Sequence, residues 1–208
     1  MTLAILGAGN VGAALARAFT SRGERFAIGV PEPAKYAALA AELGAAARVG
    51  TVGEAIDAAH CVILALPYGA ALEVAAQRSD WGGRILVDPT NPIAPGLAGL
   101  SVGQTTSGAE QIAALARNAR VVKAFNTTGA ENLADSRYPR GEVFMPVCGD
   151  DAQARSEVVA LAQLIGFDAV DVGALSAARY LEPFAMTWIH TAIKLGHGRG
   201  FAFARLRR

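Results

Sequence analysis

Cysteine and histidine are scarce. The chain of 208 residues has two cysteines, Cys61 and Cys148, and three histidines, His60, His190 and His197. The cysteines lie far apart inside apolar, strand-like runs, which argues for buried thiols and against a disulfide framework. The histidines are scattered, and no spacing among them and the cysteines would hold zinc. Charged residues make up 18% of the chain and leave a net charge of only +1. Nothing general therefore invites nucleic acid or an acidic membrane surface. No apolar stretch reaches the roughly 18 residues that a membrane helix needs. The N-terminal apolar run is too short for a signal peptide and starts without basic residues, so the cytoplasm is the default setting. Ser107 sits in no G-x-S-x-G, and no serine hydrolase arrangement is visible. Repeats, low-complexity linkers and domain boundaries are absent too. This argues for one domain over residues 1–208, with a helical extension over 176–208.

What is present is apolar residues, at 52% of the chain, in short runs that can build a sizeable core. Thr2–Leu6, Arg25–Val30, Ala46–Val49, Cys61–Leu66, Arg84–Asp88, Arg120–Ala124, Glu142–Cys148 and Phe167–Val172 read as strands. Between them, Val11–Ser21, Pro33–Leu43, Thr51–Ala59, Ala70–Gln77, Thr106–Ala116 and Ala152–Ile165 read as helices. Thr51 with Glu54, and Ser107 with Glu110, have capping spacing. The strand–helix alternation predicts an α/β fold: a doubly wound, mostly parallel sheet with helices on both faces and a C-terminal helical segment, Tyr180–Leu195.

Gly7-Ala8-Gly9-Asn10-Val11-Gly12 is a complete G-x-G-x-x-G between the first strand and the first helix. Gly7 permits the tight turn, Gly9 lets a pyrophosphate approach the backbone, and Gly12 lets helix and strand pack closely. The helix N-terminus then offers free N–H groups to phosphate. In this context the motif points to a dinucleotide.

Cofactors of such sheets lie at the carboxyl ends of the strands. An acid about 20 residues past the glycine turn would hold the ribose of NAD. Val30 stands there instead, followed by Pro31-Glu32-Pro33. Lys35 is the nearby cation, either a grip for a 2′-phosphate or an exposed helix lysine. Leu66, Pro67 and Tyr68 end the fourth strand and line either the nicotinamide half or plain loop packing. Thr90, Asn91 and Pro92 follow the fifth strand, and Asn126 the sixth, all at the expected cleft. His190 and Lys194 share a helix face and are the weak catalytic candidates, a proton donor and a holder of an acidic substrate. Their bland alternative is a partly exposed helix with a snorkelling lysine. Tyr180 and Glu182 are weaker candidates for the site. Phe184, Met186 and Trp188 read as core or subunit contact. The basic end Arg205-Leu206-Arg207-Arg208 reads as a solvated tail.

Several of these motifs, in this order, resemble the NADP oxidoreductases that use the deazaflavin coenzyme F420. They are Gly7–Gly12, Asp88-Pro89-Thr90-Asn91-Pro92, Val122-Lys123-Ala124-Phe125-Asn126-Thr127, Cys148-Gly149-Asp150-Asp151 and Ala178-Arg179-Tyr180-Leu181-Glu182. The resemblance implies a Rossmann domain that forms a homodimer. It implies NADP on the glycine turn and a deazaflavin or flavin as second redox partner, with hydride passing between the rings. It carries Gly7, Gly9, Asn10, Val11 and Gly12 to the pyrophosphate. Leu66 and Pro67 go to the path toward the nicotinamide, and Asn91, Pro92 and Asn126 to its vicinity. Related domains reduce flavins, ferric centres or small imines. The chain departs from the family at Val30-Pro31, where Ser-Arg is usual, which leaves NAD open beside NADP. The lack of a convincing acid–base pair leaves a second reading, a non-catalytic NAD(P) sensor or partner-docking module.

Overall fold

The computed structural model describes residues 2–206 and 208. The first six strands form a parallel sheet. They are β1 (Leu3–Leu6), β2 (Phe26–Gly29), β3 (Ala47–Gly50), β4 (Cys61–Leu64), β5 (Ile85–Asp88) and β6 (Arg120–Lys123). Two more, β7 (Phe144–Gly149) and β8 (Asp168–Asp171), complete an eight-stranded sheet in the order β3-β2-β1-β4-β5-β6-β7-β8. The β6–β7 pair is antiparallel and is the one departure from parallel pairing among the named strands. This is the doubly wound, Rossmann-like α/β order, with its topological switch between β1 and β4.

Strand side chains alternate between two buried layers. Leu3, Ile5, Phe26, Ile28, Cys61, Ile63, Ile85 and Val87 pack on one face, with α1 (Asn10–Ser21) and α7 (Ala152–Leu164). Ala4, Leu6, Val62, Leu64 and Leu86 pack on the other. There they meet α3 (Val52–Asp57), α4 (Tyr68–Gln77), α5 (Gly108–Leu115) and the start of α8 (Ala178–Ile189). Because the side-chain period is two, a one-residue register slip would exchange the two cores. Burial on both faces is why these strands are continuously apolar.

Local signals set most boundaries. Thr51 and Glu54 form a reciprocal capping box at α3. Ser107 caps α5 by accepting from the Glu110 N–H at 3.2 Å. The expected helix over 33–43 divides into a 3₁₀ turn, Pro33–Tyr36, and α2 (Ala37–Leu43). A short helix, α6 (Ala130–Ala134), was not expected, because five residues are too few to display a period. The C-terminal helix continues as a π-helical turn, His190–Lys194.

The basic end is exposed at Arg205, Leu206 and Arg208, as a solvated tail would be, but the segment leading to it is anchored. Phe203 accepts the Phe144 N–H through its carbonyl at 2.9 Å, and Phe201 stacks on Trp188 with ring centroids 5.5 Å apart. Arg205 makes a two-point pair with Asp168 at 2.7 and 2.9 Å. Aromatic packing of the half-buried Phe201 and Phe203 anchors the chain just before the tail, and Arg207 lies outside the described residues. No helix among the described residues is long and apolar enough to cross a membrane.

Candidate cofactor site

The parallel strands all end on one edge, and the polar loops gather there. Gly7 leaves β1 with φ +92°, a left-handed conformation that favours glycine. Its N–H donates to the Gly29 carbonyl at 2.9 Å. A Cβ on Gly7 would lie 2.4 Å from the Ala65 carbonyl oxygen, and one on Gly12 would lie 2.1 Å from the Gly7 carbonyl oxygen. Both glycines are therefore demanded by the fold. Gly9 differs: a Cβ there would meet nothing within 4 Å. Gly9 is also the N-cap of α1, and no side chain caps that helix. The turn thus presents a side-chain-free approach to an uncapped helix N-terminus, which suits a pyrophosphate. Ala8, Asn10 and Val11 complete the turn, with Asn10 exposed and Ala8 and Val11 half-buried against the core.

At the end of β2, Val30 turns inward. Its side chain is fully buried in the core and its N–H donates to the Gly50 carbonyl at 3.0 Å. The exposed groups at that strand end are Pro31, Glu32 and Lys35. Lys35 Nζ donates to Glu32 Oε1 at 2.6 Å, so cation and acid sit together at the ribose end of the expected cofactor path.

After β4, Pro67 is exposed, and Leu66 and Tyr68 are half-buried. The Tyr68 hydroxyl donates to Gln111 Oε1 at 2.6 Å. Its pKa is pushed up to about 12, first by burial and then by the charges of Glu182 and Asp88, so the phenol is neutral at ordinary pH. The loops after β5 and β6 are joined by a reciprocal asparagine pair. Asn91 Nδ2 donates to the Asn126 carbonyl at 2.9 Å, and Asn126 Nδ2 donates to Asn91 Oδ1 at 3.0 Å and to the Leu181 carbonyl at 3.3 Å. Phe125, buried just before Asn126, has φ +64°, a costly conformation for an aromatic residue that sets the direction of this turn. Thr90 Oγ1 and Asn126 Oδ1 are buried without a hydrogen-bond partner. Two unmet polar atoms at adjacent strand ends suit a ligand that carries an amide.

Beneath these loops lies a cluster that sequence reading did not assemble. Lys123 Nζ donates to Asp88 Oδ2 at 2.8 Å, to Glu182 Oε1 at 2.8 Å and to the Thr90 carbonyl at 2.6 Å. All three charged side chains are essentially without solvent exposure. Burial alone would lower the lysine's pKa, but the two carboxylates outweigh it and hold it above its ordinary value. Asp88 Oδ1 accepts the Thr90 N–H at 2.8 Å, and Glu182 accepts the Gly108 and Ala109 N–H groups at 3.0 and 3.2 Å. Glu182 is thus placed behind the site, holding α8, α5 and the Thr90 loop together. The sequence signal was available as Lys and Asp at the inward ends of otherwise apolar strands, where unpaired charge is rarely tolerated.

The weaker candidates separate. Tyr180 points outward, 77% exposed. His190 and Lys194 line an open groove of about 780 Å³ between residues 97–104 and α8, with Pro183 and Met186. Trp188 is buried, as one of the two expected readings has it, and Phe184, half-buried, packs against Phe144 and Phe203.

The fold and the glycine turn define a Rossmann-type dinucleotide-binding protein. The sequence profile of the family "NADP oxidoreductase coenzyme F420-dependent" matches residues 2–92. A solved structure from Arthrobacter sp. FB24, assigned as an F420-dependent NADP-reductase, is 30% identical over 100% of both chains, with a TM-score of 0.84. The chain belongs to this family. The hypothetical protein SMa0349 from Sinorhizobium meliloti is 34% identical, over 88% of this chain and 90% of that one, with a TM-score of 0.81. The metalloreductase STEAP3 of Rattus norvegicus is 30% identical over 198 residues, 92% of this chain. The chain spans only 39% of that protein's length.

Proposed function

We propose that the protein oxidises NADPH by transferring hydride to a planar acceptor of the deazaflavin or flavin type. The observation that carries this reading is the pair of unmet oxygens, Thr90 Oγ1 and Asn126 Oδ1, in line along the sheet edge from the open Gly9 turn. When bound, NADPH supplies a hydride from its dihydronicotinamide ring. Gly7 to Gly12 hold the pyrophosphate through backbone N–H groups. Leu66, Pro67 and Tyr68 flank the path, and Tyr68 does so as a neutral phenol. Asn126 Oδ1 accepts from the carboxamide, and the Asn91–Asn126 pair fixes the angle at which that face is presented. Hydride exchange between two rings depends on orientation more than on an acid–base group. This agrees with a site whose buried charges, Lys123, Asp88 and Glu182, are engaged with one another and with the N–H groups of α5.

NADP is the cofactor in this reading, with Lys35 facing the 2′-phosphate. NAD remains the competitor, because Glu32 holds Lys35 and suits a free ribose hydroxyl. The reading includes a homodimer in the cytoplasm. Support for the dimer is the exposed apolar set Tyr180, Ile193 and Leu195 on the C-terminal helical segment.

The test is NADPH consumption by the purified protein with riboflavin, FMN and a deazaflavin as acceptors. Turnover with any of them supports the proposal. Tight NADPH binding with no turnover across the panel would replace it with the non-catalytic sensor.

A further inference from the structure

We propose that the buried Lys123–Asp88–Glu182 cluster places excess negative charge behind the nicotinamide end of the cofactor site, and so favours the oxidised, cationic ring over the reduced, neutral one. The three residues act through their field and through the Thr90 loop they hold, not by touching the ligand. This inference rests on the reading above and adds which redox form of the cofactor the protein prefers, and why.

The charges do not balance. Asp88 and Lys123 are partners across the carboxyl ends of β5 and β6, and Glu182 reaches the same ammonium from α8. One cation therefore serves two carboxylates. Among the described residues no second cation reaches either acid. Their remaining contacts are the Thr90 N–H on Asp88 and the Gly108 and Ala109 N–H groups on Glu182. Arg179, three residues before Glu182, is taken up by Glu110 at 2.6 and 2.9 Å. The N-terminus of a helix such as α5 offers roughly half a unit of positive charge. That offsets part of the excess, and the rest sits where essentially no solvent screens it.

The cluster adjoins the groups assigned to the nicotinamide end. Lys123 Nζ donates to the Thr90 carbonyl at 2.6 Å, and Thr90 Oγ1 is one of the two unmet polar atoms. Asn91 and Asn126 each stand three residues past a member of the cluster, Asp88 and Lys123. Gly108 shows how close the walls come. A Cβ there would lie 3.0 Å from the Tyr68 ring, 3.2 Å from Glu182 Oε1 and 3.3 Å from Pro92 Cδ. One point is thus shared by a carboxylate of the cluster and by two residues of the expected cofactor path. The field is felt on that path: after burial, the charges of Glu182 and Asp88 are what push the Tyr68 phenol up to about 12.

Charge on the ring is what separates the two redox forms. A hydride, one proton with two electrons, passes to the planar acceptor and leaves the nicotinamide ring one unit more positive. Fixed negative charge near the ring stabilises that product and the charge developing on the way to it. The phosphates, ribose and adenine are the same in both forms. The glycine turn and Lys35 therefore act on both alike, and only charge near the ring can tell them apart.

The test is calorimetric titration with NADP+ and, separately, NADPH, with no acceptor present. The proteins are the wild type, Glu182→Gln, Asp88→Asn and Glu157→Gln. Glu157 lies at the opposite ends of the strands, 3.6 Å from His60, and controls for loss of a distant charge. Glu182→Gln should weaken NADP+ relative to NADPH by about tenfold, which raises the potential of the bound couple by about 30 mV. Asp88→Asn should move the ratio in the same direction, and Glu157→Gln should leave it alone. A purely structural role would weaken both forms together and keep the ratio. A ratio unmoved by Glu182→Gln while both forms bind overturns the proposal, and so does an equal shift in Glu157→Gln. If thermal melts show that Glu182→Gln does not fold, Asp88→Asn decides by the same criterion. Failure of the wild type to bind either nucleotide would sink the oxidoreductase reading and this inference with it, an outcome distinct from two bound forms with an unmoved ratio.

Discussion

Lys123 and Glu182 are 59 residues apart in the chain and meet at 2.8 Å with essentially no solvent access to either side chain. Asp88 completes the cluster at 2.8 Å on the other side of the ammonium. One lysine faces two carboxylates, and the N–H groups at the start of α5 offset the excess negative charge. Removing the lysine would leave two buried acids facing each other. Lys123→Met is expected to cost about 3–5 kcal/mol, the usual penalty for an orphaned buried charge. Glu182→Gln should cost less, since Lys123 keeps Asp88 and the amide oxygen still accepts one of the two α5 N–H groups. Urea unfolding of the two variants checks the order. Equal losses would mean that the cluster does not act as a charge balance.

The glycine turn separates fold from ligand. Gly12→Ala would push a methyl to 2.1 Å from the Gly7 carbonyl oxygen, so stability should fall sharply. Gly9→Ala enters open space, so its melting temperature should stay within a degree or two of wild type. Its affinity for NADPH should nevertheless fall by about tenfold or more, because the methyl occupies the approach of the phosphate. Thermal melts and a fluorescence titration on both variants suffice. Unchanged NADPH binding in Gly9→Ala would remove the pyrophosphate from this turn.

The alkaline side of the stability profile should be the steep one. Lys123 is held above its ordinary value of 10.5 by Asp88 and Glu182, against the opposing effect of burial. Tyr68 is raised from 10.0 to about 12, mainly by burial. Both groups keep their protons more tightly in the folded state. Their contribution is intact below about pH 10, declines above it, and is lost as pH rises through the folded values. Melting temperatures measured from pH 8 to 12 should fall from about pH 10 upward, and Tyr68→Phe should soften that fall. A flat profile across this window would contradict the assigned shifts.

Asn126 should matter to rate more than to binding. Asn126→Ala removes the hydrogen bonds to Asn91 and to the Leu181 carbonyl as well as the unmet oxygen. The pyrophosphate grip is untouched, so NADPH affinity should change less than about threefold. The kcat for an acceptor found in the panel should fall about 10- to 100-fold, from lost orientation. A drop in affinity with kcat preserved would move the nicotinamide elsewhere.

Much of this architecture is written in short-range pattern. Thr51 with Glu54 announces α3, Ser107 announces α5, and continuous apolar runs announce strands buried on both sides. The α6 helix escaped because a single short turn carries no period. The direction of β7 escaped because an apolar strand reads the same whether its neighbour runs with it or against it. At the site, Gly7, Gly9 and Gly12 were legible because all three fall in one six-residue motif between a strand and a helix. Asn91 and Asn126 were legible only as polar residues past strand ends, and their mutual hydrogen bonds were not. Val30 looked like a cofactor contact by counting residues, yet the pleat turns its side chain into the core.

The amino-acid sequence by itself determined the strand–helix alternation, the glycine turn and the family, because each depends on residues close together in the chain. Only the tertiary structure decided the rest. It brought Lys123, Asp88 and Glu182 into one buried charge cluster and left two oxygens unmet at adjacent strand ends. It also lined a helix face and a distant loop into a groove with an unpaired lysine, Lys194. Such contacts join segments far apart in the chain. Whether a charge ends up paired or open to a ligand depends on distances that no local pattern encodes.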